Sequence, residues 1–501
     1  MKLLPIFIII PLGTAFVISL LGKSLRLRRA GDVLTNLACF SLLVFSFLIL
    51  FITKTNDVLV YKVGGWVPPI GICMALDGLA AFMLVTVNLV SFLVTLYSIS
   101  YMEKYTDKWR FYTLFMLMLA GMNGVIIAGD LFNLFVFFEI ASISSYALVA
   151  FGTEAEELEA SFKYAIMGSV ASSFVLLGIA LLYGHTSTLN MADISLTLSG
   201  KQGAGFLVSF VGVLFLMGFG LKAALVPFHA WLPDAHPSAP APISAMLSGV
   251  FIKTLGVYTL CRLFFNILGV SAKILFVLII LGVISMVVGA ILAIAQRDIK
   301  RMFAYSSISQ IGYIIFALGI GTPLAILGGL FHLFNHAIFK SLLFLDSGAI
   351  EYSTGTRDLK KLGGLSSRLP VTASTGLLGA MSISGVPPLG GFWSKLIIII
   401  AAVQAEHFAG AVVAILVSII TLAYYLKFAG FTFFGKLDQA WLKIKEVPLA
   451  MKLAMVVLAI ICVFSGLLVA PLPLFKDFLQ SAVDVLVTGK VYAQSVFTAI
   501  R

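Results

Sequence analysis

Apolar runs of about twenty residues recur from one end of the chain to the other, separated by short polar stretches. A helix of that length covers the hydrocarbon core of a bilayer, where every backbone polar group has to be satisfied within the protein. The pattern predicts an all-α polytopic membrane protein with about fourteen transmembrane helices. They fall near residues 4–22, 33–53, 73–101, 111–129, 131–151, 160–184, 204–226, 239–265, 273–295, 303–320, 323–346, 371–405, 409–434 and 451–470. Two of the runs are interrupted. The seventh leads into LKAALVPFHAWLPDAHPSAPAP, with Pro227, Pro233, Pro237, Pro240 and Pro242, and the twelfth, MSISGVPPLGGFWSKLIIII, carries Pro387, Pro388, Gly390 and Gly391 at its middle. Proline removes a backbone donor and clashes with the preceding turn, so it frees carbonyls at membrane depth. Protein or water, not lipid, must satisfy them.

The two interruptions sit at matching places in two similar halves. GDLFNLFVFFEIASISSYAL can be laid on IKRMFAYSSISQIGYI through the triplets Ser142–Ser144 and Ser307–Ser309, and ASFKYAIM on GLFHLFNHAIFK. Such paired breaks point to internal repeats, and an odd number of helices per repeat inserts the second upside down. The expected organisation is helices 1–3 in residues 1–110 and a first five-helix repeat, helices 4–8, in 111–265. A second, inverted repeat, helices 9–13, occupies 273–434, and helix 14 with a tail occupies 451–501. Each repeat contains one discontinuous helix.

Composition agrees with this. Of the 501 residues 60% are hydrophobic and only 11% charged, with a mean hydropathy of +1.09. No stretch would form a sizeable soluble domain. No redox or hydrolytic centre is expected in this chain, so any redox centre or nucleotide site that supplies energy belongs on another chain. Cys39, Cys73, Cys261 and Cys462 are scattered in apolar runs without CxxC or Cys/His spacing, so they read as small packed residues, not as metal ligands or a disulfide. The first run reads as a retained helix, since it continues into KSLRLRR without a convincing cleavage site.

The net charge of +11 is topological and does not mark a nucleic-acid binder. Basic residues collect in alternate loops: Lys23, Arg26, Arg28 and Arg29; Lys104, Lys108 and Arg110; Arg297, Lys300 and Arg301; Arg357, Lys360, Lys361 and Arg368; Lys436, Lys443 and Lys445. Positive-inside bias makes these loops cytoplasmic in a plasma-membrane protein with both termini external. The acidic stretch EAEELE after the fifth run is a loop on the same side in this reading.

Ionisable residues inside the runs carry the chemistry. Glu139, Lys222, Lys253 and Lys395 lie where a charge costs roughly 2.5–3.5 kcal/mol on insertion scales, so they face protein or a water-filled path. Burial favours the neutral form of such a group and an opposite charge restores the charged form, so a Glu–Lys contact that opens and closes can take up and release a proton. A static buried ion pair that holds helices in register is the competing explanation. His332 and His336 are four residues apart on one helix face, with Lys340 four further along, and histidine changes charge near neutral pH. No acidic or Cys ligand stands beside the histidines in sequence, so no metal is assigned. Lys163, Asp346 and Lys427 lie nearer the ends of runs, where a long side chain snorkels. Asp77 reads as a helix cap. His229, Asp234 and His236 flank Trp231 at one end of the seventh run, as a mouth of the path or a simple loop. Tyr305, Ser306, Ser307 and Ser309 read as hydrogen-bonding groups that bind water beside the histidines or join helices.

Taken together, FEIASISSYAL, GFGLKAALVPFHAWLPDAHPSAPAPISAMLSGVFIKTLGVY, RDIKRMFAYSSISQIGYI, FHLFNHAIFKSLLFLDSGAI and SGVPPLGGFWSKL resemble the antiporter-like subunits shared by Mrp-type multisubunit Na+/H+ antiporters, membrane-bound hydrogenases and respiratory complex I. The resemblance spans about residues 70–430 and implies fourteen helices with two inverted repeats. It also implies proton translocation through Glu139, its partner Lys222, the bridging Lys253, the central His332 and His336, and the terminal Lys395; Lys163, His229 and Lys340 are read as accessory from their own positions in the chain. Lysine at 395, where some branches have glutamate, resembles the Mrp D-type and hydrogenase-type subunits. The implied partners are other membrane subunits, a hydrophilic redox arm with iron–sulfur or nickel centres in the redox-driven branches, H+ and Na+. A structural membrane subunit whose buried charges only fix packing is the alternative, and a stand-alone solute transporter a third.

Overall fold

A computed structural model of the chain describes residues 3–22, 28–53, 58–200, 205–467, 473–489 and 491–500, so Lys23 and Arg26 of the first basic cluster lie outside the described residues. The chain is a helical bundle. Its helices are α1 (Ile6–Leu21), α2 (Arg28–Thr53), α3 (Gly78–Tyr101), α4 (Lys108–Ile127), α5 (Leu131–Val149), α6 (Ala155–Thr186), α7 (Met191–Gly200), α8 (Gly205–Lys222) and α9 (Leu232–Ser238). The continuous span Ala241–Leu268 is α10. There follow α11 (Ala272–Ala295), α12 (Ile299–Ile320), α13 (Pro323–Thr354), α14 (Pro370–Ser384), α15 (Gly390–Gln404), α16 (Phe408–Thr432), α17 (Leu449–Leu467), α18 (Pro473–Val487) and α19 (Val491–Ile500). Among the described residues twelve helices are long and apolar enough to cross a membrane, and α1 and α15 are shorter apolar helices.

Several expectations from sequence need correction. The third run does not begin at residue 73, because β1 (Leu59–Lys62) and β2 (Cys73–Leu76) pair antiparallel as a small ribbon and the helix starts after its cap, Asp77. EAEELE is not a loop but the first turns of α6. Glu154 and Glu157 form a reciprocal capping box there, and acidic side chains suit the positive end of the helix dipole. The tail after α17 carries two further helices: α18 and α19 fold back on α10, whose Asn266 donates to the carbonyls of Val485 (2.7 Å) and Gly489 (2.9 Å).

The interrupted runs become paired segments with the same ending. In the first, Ala224 N donates to Leu221 O and Leu225 N to Gly220 O, and in the second Gly385 N donates to Ser382 O and Val386 N to Met381 O. Both helices end with a residue at positive φ, Ala224 (57°) and Gly385 (83°), which turns the chain and satisfies carbonyls the prolines free. A second set of bonds repeats at a constant offset of 168 residues, from Asp130 to Asp298 and from Asn190 to Asp358. Asp130 caps α5 and bridges to Asn190, while Asp298 caps α12 and bridges to Asp358. Leu131 N donates to Leu189 O as Ile299 N does to Arg357 O, and Met191 N to Gly129 O as Leu359 N does to Arg297 O. The serine triplets align at an offset of 165, so that alignment is three residues out of register with the bonds.

The basic loops share one end of the bundle, here termed the basic face. Lys300 meets Glu351 (3.3 Å), Arg301 meets Asp234 (3.1 Å), Arg357 meets Asp298 (3.2 Å), and Trp441 Nε1 donates to Lys361 O. α11 and α12 touch backbone to backbone. A Cβ on Gly282, Gly289, Gly312 or Gly319 would stand within 2.6 Å of a main-chain nitrogen of the other helix, the close approach that small residues permit in membranes.

Candidate functional site

α5, α6 and α8 place Glu139 and Lys222 in one neighbourhood but not in contact. Half-buried Glu139 accepts a short hydrogen bond from Ser172 of α6. Lys222, fully buried at the end of α8, donates instead to Ser142 Oγ (2.9 Å) and Tyr146 OH (2.7 Å) of α5. Its ammonium also stands 5.0 Å from the ring centres of Phe138 and Tyr146. Gly168 makes room: a Cβ there would meet the Tyr146 hydroxyl at 1.8 Å and Lys222 Nζ at 3.1 Å. In this structure the Glu139–Lys222 contact is open, and hydroxyl groups hold each residue separately.

The first break seats directly on α10. A Cβ on Gly256 would lie 2.6 Å from the backbone nitrogen of Ala223. Beyond Met246 this helix takes wide π-type turns at Leu247–Phe251, Lys253–Tyr258 and Arg262–Leu268, a geometry frequent at functional sites. Within it Lys253 Nζ donates to the carbonyl of Ser248 at 2.5 Å, and Ser248 Oγ bonds Ser307 Oγ of α12 at 2.7 Å.

The histidines continue the row. His332 of α13 lies between Ser394 Oγ, 2.9 Å from Nδ1, and Gln310 Oε1, 3.1 Å from Nε2. His336 stacks beside it at 6.3 Å, and neither of its nitrogens has a protein partner. Lys340 donates to Phe303 O (2.7 Å) and Tyr425 OH (3.2 Å), and Tyr424 links on to Ser306. At the far end Lys395 of α15 reaches back across the second break to Ile383 O (2.8 Å), its ammonium 5.0 Å from the Tyr313 ring centre.

Other sequence candidates sit elsewhere. Lys163 is exposed and pairs with Glu159 (2.7 Å) and, loosely, Asp234 (3.5 Å) at the basic face. His229 lies in the segment between α8 and α9, partly buried, with Nδ1 unpartnered. His236 is wholly buried, with both nitrogens unpartnered and its ring stacked 4.5 Å from Phe344. Lys427 donates to Ile294 O and Gln296 O near the basic face. Asp346 is not a snorkelling end residue, because α13 runs on to Thr354 and leaves it fully buried against Thr375.

Asp77 caps α3 as expected, but it also forms a buried bidentate pair with Arg262 of α10, at 2.6 and 2.8 Å. Arg262 is absent from the sequence candidates, although an arginine in a predicted span is itself a signal. The hydroxyls that hold Lys222 and the amide beside His332 carry no signal of their own. Among the described residues no group of three or more His, Cys, Asp or Glu side chains could hold a metal ion.

Comparison with known proteins places this geometry. Residues 128–421 match the family described as NADH:quinone oxidoreductase/Mrp antiporter, TM, and residues 66–112 match NADH-Ubiquinone oxidoreductase (complex I), chain 5 N-terminus. The D subunit of the Na(+)/H(+) antiporter of Alkalihalophilus pseudofirmus is 35% identical, over 98% of both chains. A chain in the structure of the Mrp complex from Dietzia sp. superposes with a TM-score of 0.91 at 28% identity, over 99% of both chains. A chain of the membrane-bound sulfane sulfur reductase, an archaeal respiratory membrane complex, gives 0.90 at 31% identity, over 99% of this chain and 100% of that one.

Proposed function

The chain belongs to the NADH:quinone oxidoreductase/Mrp antiporter transmembrane family, and from that premise we propose that it is a proton-translocating subunit of a multisubunit membrane complex. Its relationship to the D subunit of an Na(+)/H(+) antiporter favours Na+/H+ exchange as the net reaction. The proton path runs from Glu139 and Lys222 through Lys253 and the His332–His336 pair to Lys395, with Lys340 beside it. The partners are other membrane subunits, and a hydrophilic redox arm where the parent complex is redox-driven. The basic face is cytoplasmic and both termini are external. Residues 111–265 and 273–434 form two inverted five-helix repeats, a reading supported by the hydrogen bonds repeated at 168 residues.

One observation carries the proposal. Lys222, Lys253, Lys340 and Lys395 are all buried, and among the described residues none has a carboxylate within ion-pairing distance. A purely structural charge would be paired, as Asp77 and Arg262 are, because an unpaired buried ion is strongly destabilising. Neutral hydroxyls and carbonyls around an amine suit a group that gains and loses a proton. Each lysine can accept from one neighbour and donate to the next, with serine and tyrosine hydroxyls and water closing the gaps.

The test is made on the native complex in proteoliposomes, with a pH-sensitive dye and with Na+ present or absent. Glu139→Ala should abolish proton movement while the complex assembles with its full set of subunits. Wild-type transport in that variant would leave the structural-subunit reading standing. Na+-dependent proton efflux supports exchange, and proton movement that needs a redox substrate instead assigns a redox pump.

A further inference from the structure

Asp346 is the one buried carboxylate of the second half that the path above does not use. It has no equivalent in the first half: at the 168-residue offset its counterpart is Gly178. Its Oδ1 accepts a 2.8 Å hydrogen bond from Thr375 of α14, and Oδ2 has no partner. Among the described residues no cation pairs with it. Thr375 lies one turn from Thr372, whose hydroxyl donates to Glu446 Oε1 at 2.7 Å. Glu446 Oε2 in turn accepts from Val371 N at 2.8 Å, at the basic-face end of α14. A lateral cavity of about 520 Å³ between α14 and α17 has Thr375 in its wall.

Thr372, Thr375, Gly379 and Ser382 share one face of α14, at helical spacing. All four are buried, and Ser382 Oγ is unpartnered. The stripe ends at the break, where Ile383, the next residue, supplies the carbonyl that holds Lys395. At Gly379 a Cβ would stand 3.2 Å from Leu343 and 3.3 Å from Leu342, so these two side chains pack closely on the stretch between Thr375 and Ser382. The titratable groups around Asp346 are Glu446 on the loop before α17, Cys462 on α17 and Tyr97 on α3, whose hydroxyl bonds Leu345 O.

We propose that Asp346 is a second-half proton carrier, loaded from the basic face past Glu446, Thr372 and Thr375 and discharging along α14 to Lys395. It rests on the translocation reading above. The carboxylic acid gives its proton to the neutral amine of Lys395, which leaves a carboxylate and an ammonium, and a proton arriving past Glu446 restores the acid. Displacement of Leu342 and Leu343 admits the water that links the two groups.

The experiment uses the assembled complex in proteoliposomes, with infrared difference spectroscopy of the protonated-carboxyl stretch as a second readout. Asp346→Asn keeps the shape and the Thr375 bond but carries no proton. It should lower transport at least tenfold with assembly intact and remove a carboxyl band, whereas Asp346→Glu should keep most transport and shift that band. Thr375→Val should shift the band and lower transport less, and it decides the matter if the asparagine variant fails to assemble. An unaltered rate and band in Thr375→Val, or wild-type transport in Asp346→Asn while Lys222→Ala is dead, would overturn the proposal and spare the translocation reading. Wild-type transport in Lys222→Ala as well would remove both.

Discussion

Lys222 and Lys395 each hold an ammonium group beside a break, by different routes. Matched by their hydrogen bonds, the two breaks align Leu221 with Ser382 and Lys222 with Ile383, the residue whose carbonyl holds Lys395 Nζ. Lys222 belongs to the helix before its break, whereas Lys395 folds back from the helix after its own. A group at that place matters for proton transfer only if it can lose its proton, which a guanidinium does not do at usable pH. Lys395→Arg should therefore fail almost as badly as Lys395→Ala, at least tenfold below wild type in proteoliposome transport. Lys395→Glu should retain part of the rate. Full transport with arginine would make Lys395 a fixed charge. The depth of these groups is legible in the sequence because ionisable residues stand out in apolar runs. Their partners are not, since Ser142, Tyr146, Ser172 and Gln310 are ordinary residues whose roles depend on helix rotation. Asp346 misleads for a related reason: Asp346, Ser347 and Glu351 look like the end of a run, yet the helix continues and the basic-face ion pairs cover it.

At the scale of elements, each break depends on a tight seat for the helix that follows it. A Cβ on Gly391 would stand 1.8 Å from the carbonyl oxygen of Ser382, whereas at Gly430 nothing lies within 4 Å. Backbone cannot yield as a flexible side chain does, so Gly391→Ala should cost at least about 1–3 kcal/mol and lower the melting temperature of the complex. Gly430→Ala should leave it unchanged, and equal melting of the two variants would contradict the seat. Proline and glycine announce both breaks in the sequence. The π-type turns of α10 and the β1–β2 ribbon go unannounced: the first depends on packing against α8 and α12, and the second is too short and too apolar in β2 to be told from a helix start. EAEELE looks like a loop because its charge hides a capping box.

For the whole molecule, the buried charges divide into those that hold the fold and those set out along a path. Asp77 and Arg262 belong to the first kind, joining the start of α3 to α10 beneath the docked α18 and α19. Removing one partner of such a pair typically costs about 3–5 kcal/mol. Asp77→Ala should therefore lower thermal stability sharply, while transport per assembled complex stays near wild type. A normal melting temperature would show the pair to be dispensable. The shared end of the basic loops is legible from the spacing of Lys and Arg, and their ion pairs join them there. A thiol-reactive label at a cysteine placed at Lys360 should react only from the cytoplasm, and reaction from outside would reverse the proposed orientation. The central claim is that the unpaired lysines conduct, and Lys222 is where it is most exposed to test. Proton transport by the purified complex carrying Lys222→Ala, measured beside a subunit inventory, is expected to fall to background with assembly unchanged. Wild-type transport in a fully assembled Lys222→Ala complex would contradict it.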